Sequence, residues 1–319
     1  MDVTRTAADP HPAGEPAAAP GSLGKVVVTG GSGRIGSLVV DLLTRQGYDV
    51  VNLDRKRPAN GAKFHYVDLR ERSQVQPHFD GAAAVCHLGE IPNVFGRTPE
   101  EVFSSNTAVA STVLQAAADV GVKRFIYTST CQTYGVWGGP GGSHGRVAPE
   151  RLPFDETLPL KPQNAYAASK VAGETYARMV AGESGMSVAI FRFPWVIAEQ
   201  IRDGRLDWFD QEHRIHEGYA TYLWGEDAAR AYLLAIERPR PGCEAYHFVA
   251  DDIWLSIPLR DALARQPEFT GPPLPDGWPD FRAPVLTDKA RDHFGWRPAW
   301  SVHEAVRAYK ARRAATPQG

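Results

Sequence analysis

Cysteine is scarce in this chain of 319 residues, and neither sign of charge dominates: there are three cysteines and a formal net charge of -2. Cys86, Cys131 and Cys243 show no metal-ligand spacing, and their odd number argues against a disulfide framework, so a reducing cytoplasm is the expected compartment. Long apolar runs are also missing, which excludes an expected membrane span. Balanced charge leaves no electrostatic footprint for nucleic acid or an anionic membrane surface. His213 and His216 lie close together, but no third ligand is suggested, so no metal is expected. Residues 1–22 are rich in Ala, Pro and Gly and lack the basic start and apolar stretch of a secretory signal, so they read as a disordered tail. Residues 313–319 read as a flexible end.

What the chain does have is a regular alternation of strand and helix patterns. Lys25–Thr29 is a β-branched run, and Ile35, Leu38, Val39, Leu42 and Leu43 then recur at helical spacing up to Gly47. Asp49–Asp54 is the next strand, completing a βαβ unit. Further strands are expected at 63–67, 83–88, 123–128, 187–193 and 245–249, with helices at 107–120, 165–183 and 226–237. This order predicts an α/β fold, a Rossmann-type doubly wound parallel sheet with a small C-terminal substrate-binding lobe. Residues 23–193 plus 225–250 would form the dinucleotide-binding domain, and 194–224 plus 251–312 the lobe. The run Gly138 to Gly145 cannot hold regular structure and is a candidate lid.

Thr29-Gly-Gly-Ser-Gly-Arg-Ile-Gly36 follows the first strand and opens the first helix. Gly30 suits a tight exit from the strand, Gly33 a close approach of backbone to a pyrophosphate, and Gly36 close packing of helix on sheet. Arg34 and Ile35 lie at the helix N-terminus, where free N–H groups and the dipole favour phosphate. Asp54 ends the second strand, where a carboxylate accepts from ribose hydroxyls and repels a 2′-phosphate. That favours NAD, while Arg34, Arg55 and Lys56 leave NADP possible. Asp68 and Leu69 are expected either against the adenine or, for Asp68, as a helix cap.

Tyr166 and Lys170 stand one helical turn apart and share a face. A neighbouring ammonium and an oxidised nicotinamide both favour the phenolate, so a tyrosine whose pKa is lowered in this way is expected to act as a general base.

These segments together resemble the extended short-chain dehydrogenase/reductase superfamily, in its NAD-dependent epimerase/dehydratase branch. The likeness runs from Lys25 to about Tyr309. It is carried by the glycine turn, His87-Leu-Gly89, Asn106 heading its helix, Thr128-Ser-Thr-Cys-Gln-Thr-Tyr-Gly135, Tyr166-Ala-Ala-Ser-Lys170 and Thr287 to Trp296 followed by Pro298. The resemblance implies that Tyr166 is the acid/base, that Lys170 holds the nicotinamide ribose, and that Thr130 is the hydroxyl partner, with Ser129 as the adjacent second choice. It also implies cofactor contacts at Leu88, Gly89, Asn106, Phe193 and Pro194, and a homodimer through the 107–120 and 165–183 helices.

The substrate region departs from the branch. Where members acting on nucleotide sugars carry an Asn, this chain has Trp195, and the stretch from Ala198 to Tyr222 is shorter than usual. An indole offers one donor where a diphosphate needs several. The lobe therefore resembles that of uronate dehydrogenases. Arg202 and Arg205 are candidates for a substrate carboxylate, Asn93 and Gln132 for polyol contacts, and Glu90 for a functional carboxylate near the nicotinamide. The expected activity is oxidation of a secondary alcohol on a small uronate or polyol. The alternatives are a sugar or nucleotide-sugar epimerase or dehydratase with transient NAD reduction, and a non-catalytic dinucleotide sensor.

Overall fold

Val26, Val27 and Val28 have no side-chain polarity to satisfy and are wholly buried, which sets the first strand at the centre of a sheet covered on both faces. The structure, a computed structural model, describes residues 23–93, 95–136, 147–197, 206, 209–210, 215, 218–266 and 271–315. The strands are β1 (Lys25–Thr29), β2 (Asp49–Asp54), β3 (His65–Tyr66), β4 (Ala84–His87), β5 (Arg124–Thr130), β6 (Ser187–Phe193), β7 (Trp195–Ile197), β8 (Tyr222–Trp224) and β9 (Cys243–His247). The helices are α1 (Arg34–Arg45), α2 (Arg72–Val75), α3 (Pro99–Asp119), α4 (Ala165–Ser184), α5 (Gly225–Glu237), α6 (Leu259–Arg265), α7 (Asp288–Phe294) and α8 (Val302–Ala315).

The main sheet has the order β3-β2-β1-β4-β5-β6-β9, and every pairing in it is parallel. The order reverses between β1 and β4, so a crevice opens at their carboxyl ends. Strand alternation sends Val26, Val28, Ile126 and Phe191 to the layer holding α1 and α5, and Val27, Phe125, Tyr127 and Ile190 to the layer holding α3 and α4. Register then places Thr29 beside His87 and His87 beside Tyr127, a single row across three strands.

Several expected boundaries move. β5 extends to Thr130, and α3 begins at Pro99, so Asn106 lies two turns inside the helix and does not head it. The cause is a capping box: Thr98 accepts from the Glu101 N–H while Glu101 accepts from the Thr98 N–H. β7 and β8 pair as a separate two-stranded parallel sheet beyond the end of β6, an element not expected from the sequence. α8 runs to Ala315, past the expected start of the flexible end at 313. Two further apolar clusters, one around Phe154, Val249 and Leu259 and one around Tyr222 and Val302, underlie the 194–224 and 251–312 segments. Among the described residues, no helix is long and apolar enough to cross a membrane.

Candidate active site

The glycine turn closes the crevice on the β1 side. Gly30 holds φ at 73°, and a Cβ there would lie 2.6 Å from Gly89 Cα, so this turn and the Leu88-Gly89 backbone pack face to face. A Cβ on Gly36 would collide with the Gly30 carbonyl oxygen and sit 2.8 Å from Gly31 Cα. Gly33 differs: its Cβ would meet only the Gly30 carbonyl oxygen, at 3.2 Å. Two glycines thus serve internal packing, and the third leaves an open surface at the N-terminus of α1. Gly33 is also the N-cap, so no side-chain oxygen from that position takes the first N–H groups of Arg34 and Ile35. This donor set fits a pyrophosphate.

Asp54 stands at the rim. Its Oδ2 accepts from the Ser32 N–H at 3.0 Å and its Oδ1 from the Lys56 N–H at 2.8 Å, which leaves one acceptor site on each oxygen for ribose hydroxyls. Asp68 is held by Arg70, whose hydrogen bonds bring its carboxyl down to about 2. It is not a helix cap, since Glu71 holds the N-cap position of α2. Leu69 is buried against Gly89. Gly31, not singled out from the sequence, has no room for a Cβ because the Asn52 amide lies there.

The reacting groups converge at the carboxyl end of β5. Asn164 caps α4 by accepting from the Ala167 N–H at 2.8 Å, and this fixes the first turn, which carries Tyr166. The Tyr166 phenol lies beside Thr130, whose hydroxyl favours its ionised form. Thr130 Oγ1 also accepts from the Gln132 N–H at 3.2 Å and lies 3.4 Å from the Phe193 carbonyl. Strand alternation turns Ser129 the other way, where it donates to Glu174 at 2.7 Å. Thr130, and not Ser129, is therefore the hydroxyl beside the tyrosine. Lys170 places Nζ 5.7 Å from the centre of the Tyr166 ring and donates to the Thr128 carbonyl at 2.7 Å.

Glu90 does not face a substrate. Its side chain is only 2% exposed, and its Oε2 lies 2.7 Å from Lys170 Nζ. His87 Nε2 donates to its Oε1 at 3.0 Å, and His87 Nδ1 in turn accepts from the Thr29 hydroxyl at 2.6 Å. Burial pushes the Glu90 carboxyl up, but Lys170 and the His87 hydrogen bond outweigh it and hold it below its ordinary value. The expectation of a lowered tyrosine pKa is corrected here. Within the protein alone, burial raises the Tyr166 phenol, Lys170 opposes this, and Glu90 adds to the rise.

The remaining expected contacts divide. Asn106 is fully buried, and its amide accepts from the Ile91 N–H at 2.8 Å while donating to the Ile91 carbonyl at 3.0 Å and to Ser169 at 3.1 Å. It clamps the segment after β4 to α4, with no group left for a cofactor. Asn93 closes a local turn by accepting from the Phe95 N–H. Gln132 accepts from Asn164 at 3.1 Å, beside the start of α4. Phe193 belongs to an aromatic cluster with Phe191, Tyr232 and Phe248, and Pro194 joins it to β7. Trp195 packs edge-on against Trp254, with ring centres 4.3 Å apart. Arg202, Arg205, His213, His216 and the Gly138 to Gly145 run lie outside the described residues. Among the described residues, no group of three or more His, Cys, Asp or Glu is placed to hold a metal ion.

A glycine cradle at the sheet's switch point, with a threonine–tyrosine–lysine set at its edge, defines a dinucleotide-dependent enzyme of the extended short-chain dehydrogenase/reductase class. Residues 26–250 match the NAD dependent epimerase/dehydratase family, and the chain belongs to it. NAD is the cofactor of that family, and the chain is an enzyme by its membership. A UDP-glucose 4-epimerase of Streptomyces lividans is 28% identical over 324 residues, covering 86% of this chain and 92% of its own. Two solved structures share the fold. One is a short-chain dehydrogenase/reductase superfamily protein of Agrobacterium tumefaciens with bound NAD (TM-score 0.66, 22% identical, 91% of this chain and 97% of that one). The other is a UDP-glucose 4-epimerase of Thermotoga maritima with UDP-glucose (TM-score 0.64, 22% identical, 91% and 99%). The curated relatives are named for epimerisation of nucleotide sugars, which matches the first alternative rather than a uronate dehydrogenase.

Proposed function

We propose that this chain is a sugar epimerase that oxidises a secondary alcohol of a nucleotide-linked sugar and reduces it again in the same turnover. The observation that carries this reading is the convergence of Thr130 and Lys170 on Tyr166 at the crevice beside the glycine cradle. Likeness to named UDP-glucose 4-epimerases over 86% and 88% of the chain supports the choice of net reaction.

Gly33, the α1 N-terminus and Asp54 would hold NAD by its pyrophosphate and ribose, and Lys170 would hold the nicotinamide ribose. When bound, NAD supplies the acceptor for a hydride from the carbon bearing the hydroxyl. Thr130 orients the hydroxyl oxygen. Tyr166 takes its proton and later returns it, a role worth roughly 10²–10⁴-fold in rate. The burial of the tyrosine excludes water from that exchange.

A second reading is favoured by Trp195. An indole packed on Trp254 stands where the nucleotide-sugar branch carries a polar amide, which suits net oxidation of a small free uronate or polyol. One experiment separates the two: the purified protein is given NAD with UDP-hexoses, free uronates and polyols, and reduced nicotinamide is followed by absorbance. Sugar interconversion without accumulation supports epimerisation, and stoichiometric accumulation supports the dehydrogenase. Tyr166→Phe abolishes turnover under either reading, and retention of activity would sink both.

A homodimer belongs to the same proposal. Between α3 and α4 runs a groove of about 500 Å³ lined by Phe103, Ser104, Thr107, Gly173 and Tyr176 among others, and Phe103 is 42% exposed. Light scattering of Phe103→Glu should show a monomer if these helices form the interface.

A further inference from the structure

Lys170 is expected to act on Tyr166, yet its shortest ionic contact is with Glu90. That pairing is built with care. Glu90 follows β4 closely, and its neighbour Ile91 is gripped at both N–H and carbonyl by Asn106. The same Asn106 amide donates to Ser169, the residue before Lys170 on α4. The segment carrying the carboxylate and the helix carrying the ammonium are therefore tied together one residue away from the contact on each side. On its far oxygen, Glu90 accepts from His87, whose second nitrogen is satisfied by Thr29 on β1. A carboxylate accepts only, so His87 must carry its proton on Nε2 and Nδ1 must be the acceptor from Thr29. Tyr127 adds a longer contact to Oε2, at 3.4 Å. Nothing in this arrangement reaches toward a substrate, so the carboxylate acts through the lysine.

We propose that Glu90 is a positioning residue that compensates the charge of Lys170, so that Tyr166 gives up its proton only when a positive charge, that of an oxidised nicotinamide, enters the crevice. This rests on Tyr166 being the acid/base. The charge count supports it. With Lys170 and Glu90 paired, ionising Tyr166 would leave one uncompensated negative charge in a water-poor place. The other titratable groups facing the tyrosine are Tyr127 on β5, Cys131 just beyond β5 and Tyr232 on α5. Burial raises all three, and Glu90 and Glu174 raise Tyr127 further, so all three are neutral and none supplies the missing positive charge. The device makes the base active in the complex that can accept a hydride and inactive in the free protein.

The test reads the phenolate directly, by near-ultraviolet difference absorbance during a pH titration, with Tyr166→Phe subtracted to isolate the Tyr166 signal. In Glu90→Gln without cofactor, Tyr166 should ionise roughly one pH unit or more below wild type, and Glu90→Asp should restore the wild-type titration. Should Glu90→Gln fail to fold by circular dichroism, Glu90→Ser, which leaves room for water, carries the same expectation. A second readout needs no change at Glu90: with the same Tyr166→Phe subtraction, saturating NAD should lower the Tyr166 titration and NADH should not. A Tyr166 signal in Glu90→Gln at or above the wild-type pH overturns the proposal, as does an equal effect of NAD and NADH. If Tyr166→Phe keeps full activity, the reading of the base itself fails, whatever Glu90 does.

Discussion

His247 should make this fold sensitive to acid, and the size of the effect follows from its surroundings. The ring is fully buried at the end of β9. Its Nδ1 donates to the Leu286 carbonyl at 3.1 Å and its Nε2 accepts from the Tyr134 hydroxyl at 2.6 Å, so the neutral ring is fully satisfied. Burial, reinforced by the Arg192 guanidinium, lowers its pKa from 6.5 to about 3. Because the folded value is depressed, the unfolded chain binds the extra proton between those limits. The stabilisation is complete above about pH 6.5 and is lost as pH falls toward about 3. The whole swing is worth ~5 kcal/mol, of which ~2 kcal/mol disappears between about pH 8 and about pH 5.

The perturbation is His247→Gln, whose amide can donate and accept in the same place but does not titrate. Urea unfolding, followed by tryptophan fluorescence at both pH values, gives the loss for each protein. Wild type should lose ~2 kcal/mol more than the variant, since carboxylates elsewhere titrate equally in both. Parallel losses, within ~0.5 kcal/mol, would refute the reasoning. The effect reaches the candidate site, because Tyr134 also accepts from Arg192, Arg192 pairs with Glu174, and Glu174 binds Ser129 beside Thr130.

Two further outcomes are expected. Gly36→Ala should lower the melting temperature and weaken NAD binding by roughly tenfold or more, because its methyl meets backbone that cannot move aside, whereas Gly33→Ala should weaken NAD binding and leave the melting temperature unchanged. Calorimetric titration with NAD and thermal melts check both, and equal behaviour of the two variants would contradict the division of labour in the turn. Glu174→Gln should cost about 3–5 kcal/mol in urea unfolding, since it strands the buried Arg192 guanidinium. Removing both charges at once, by Glu174→Leu combined with Arg192→Met, should recover most of that loss.

Much of the scaffold is written in local pattern. β1, β2 and β6 have the bounds expected from the β-branched and apolar runs at their centres, which a sheet covered on both faces buries. α4 starts at Ala165, as expected, because Asn164 supplies the cap. The early start of α3 was also legible, in Thr98-Pro-Glu-Glu101, but its first turns lack an apolar face and the periodicity there is weak. β7 and β8 were not legible, since strands of three residues carry too little pattern and exist here only through each other.

The sequence by itself determined the chemistry on offer: a glycine turn between strand and helix, and a tyrosine one turn from a lysine, both fixed by spacings of a few residues. Tertiary structure alone decided which groups meet. Whether Ser129 or Thr130 joins the tyrosine depends on the parity of β5 against α4, and the partner of Lys170 depends on how β4 and α4 are clamped by Asn106. Such contacts join residues far apart in the chain, and burial sets the sign of their electrostatics, so a phenol read as acidified from its neighbour is instead held protonated by the interior around it.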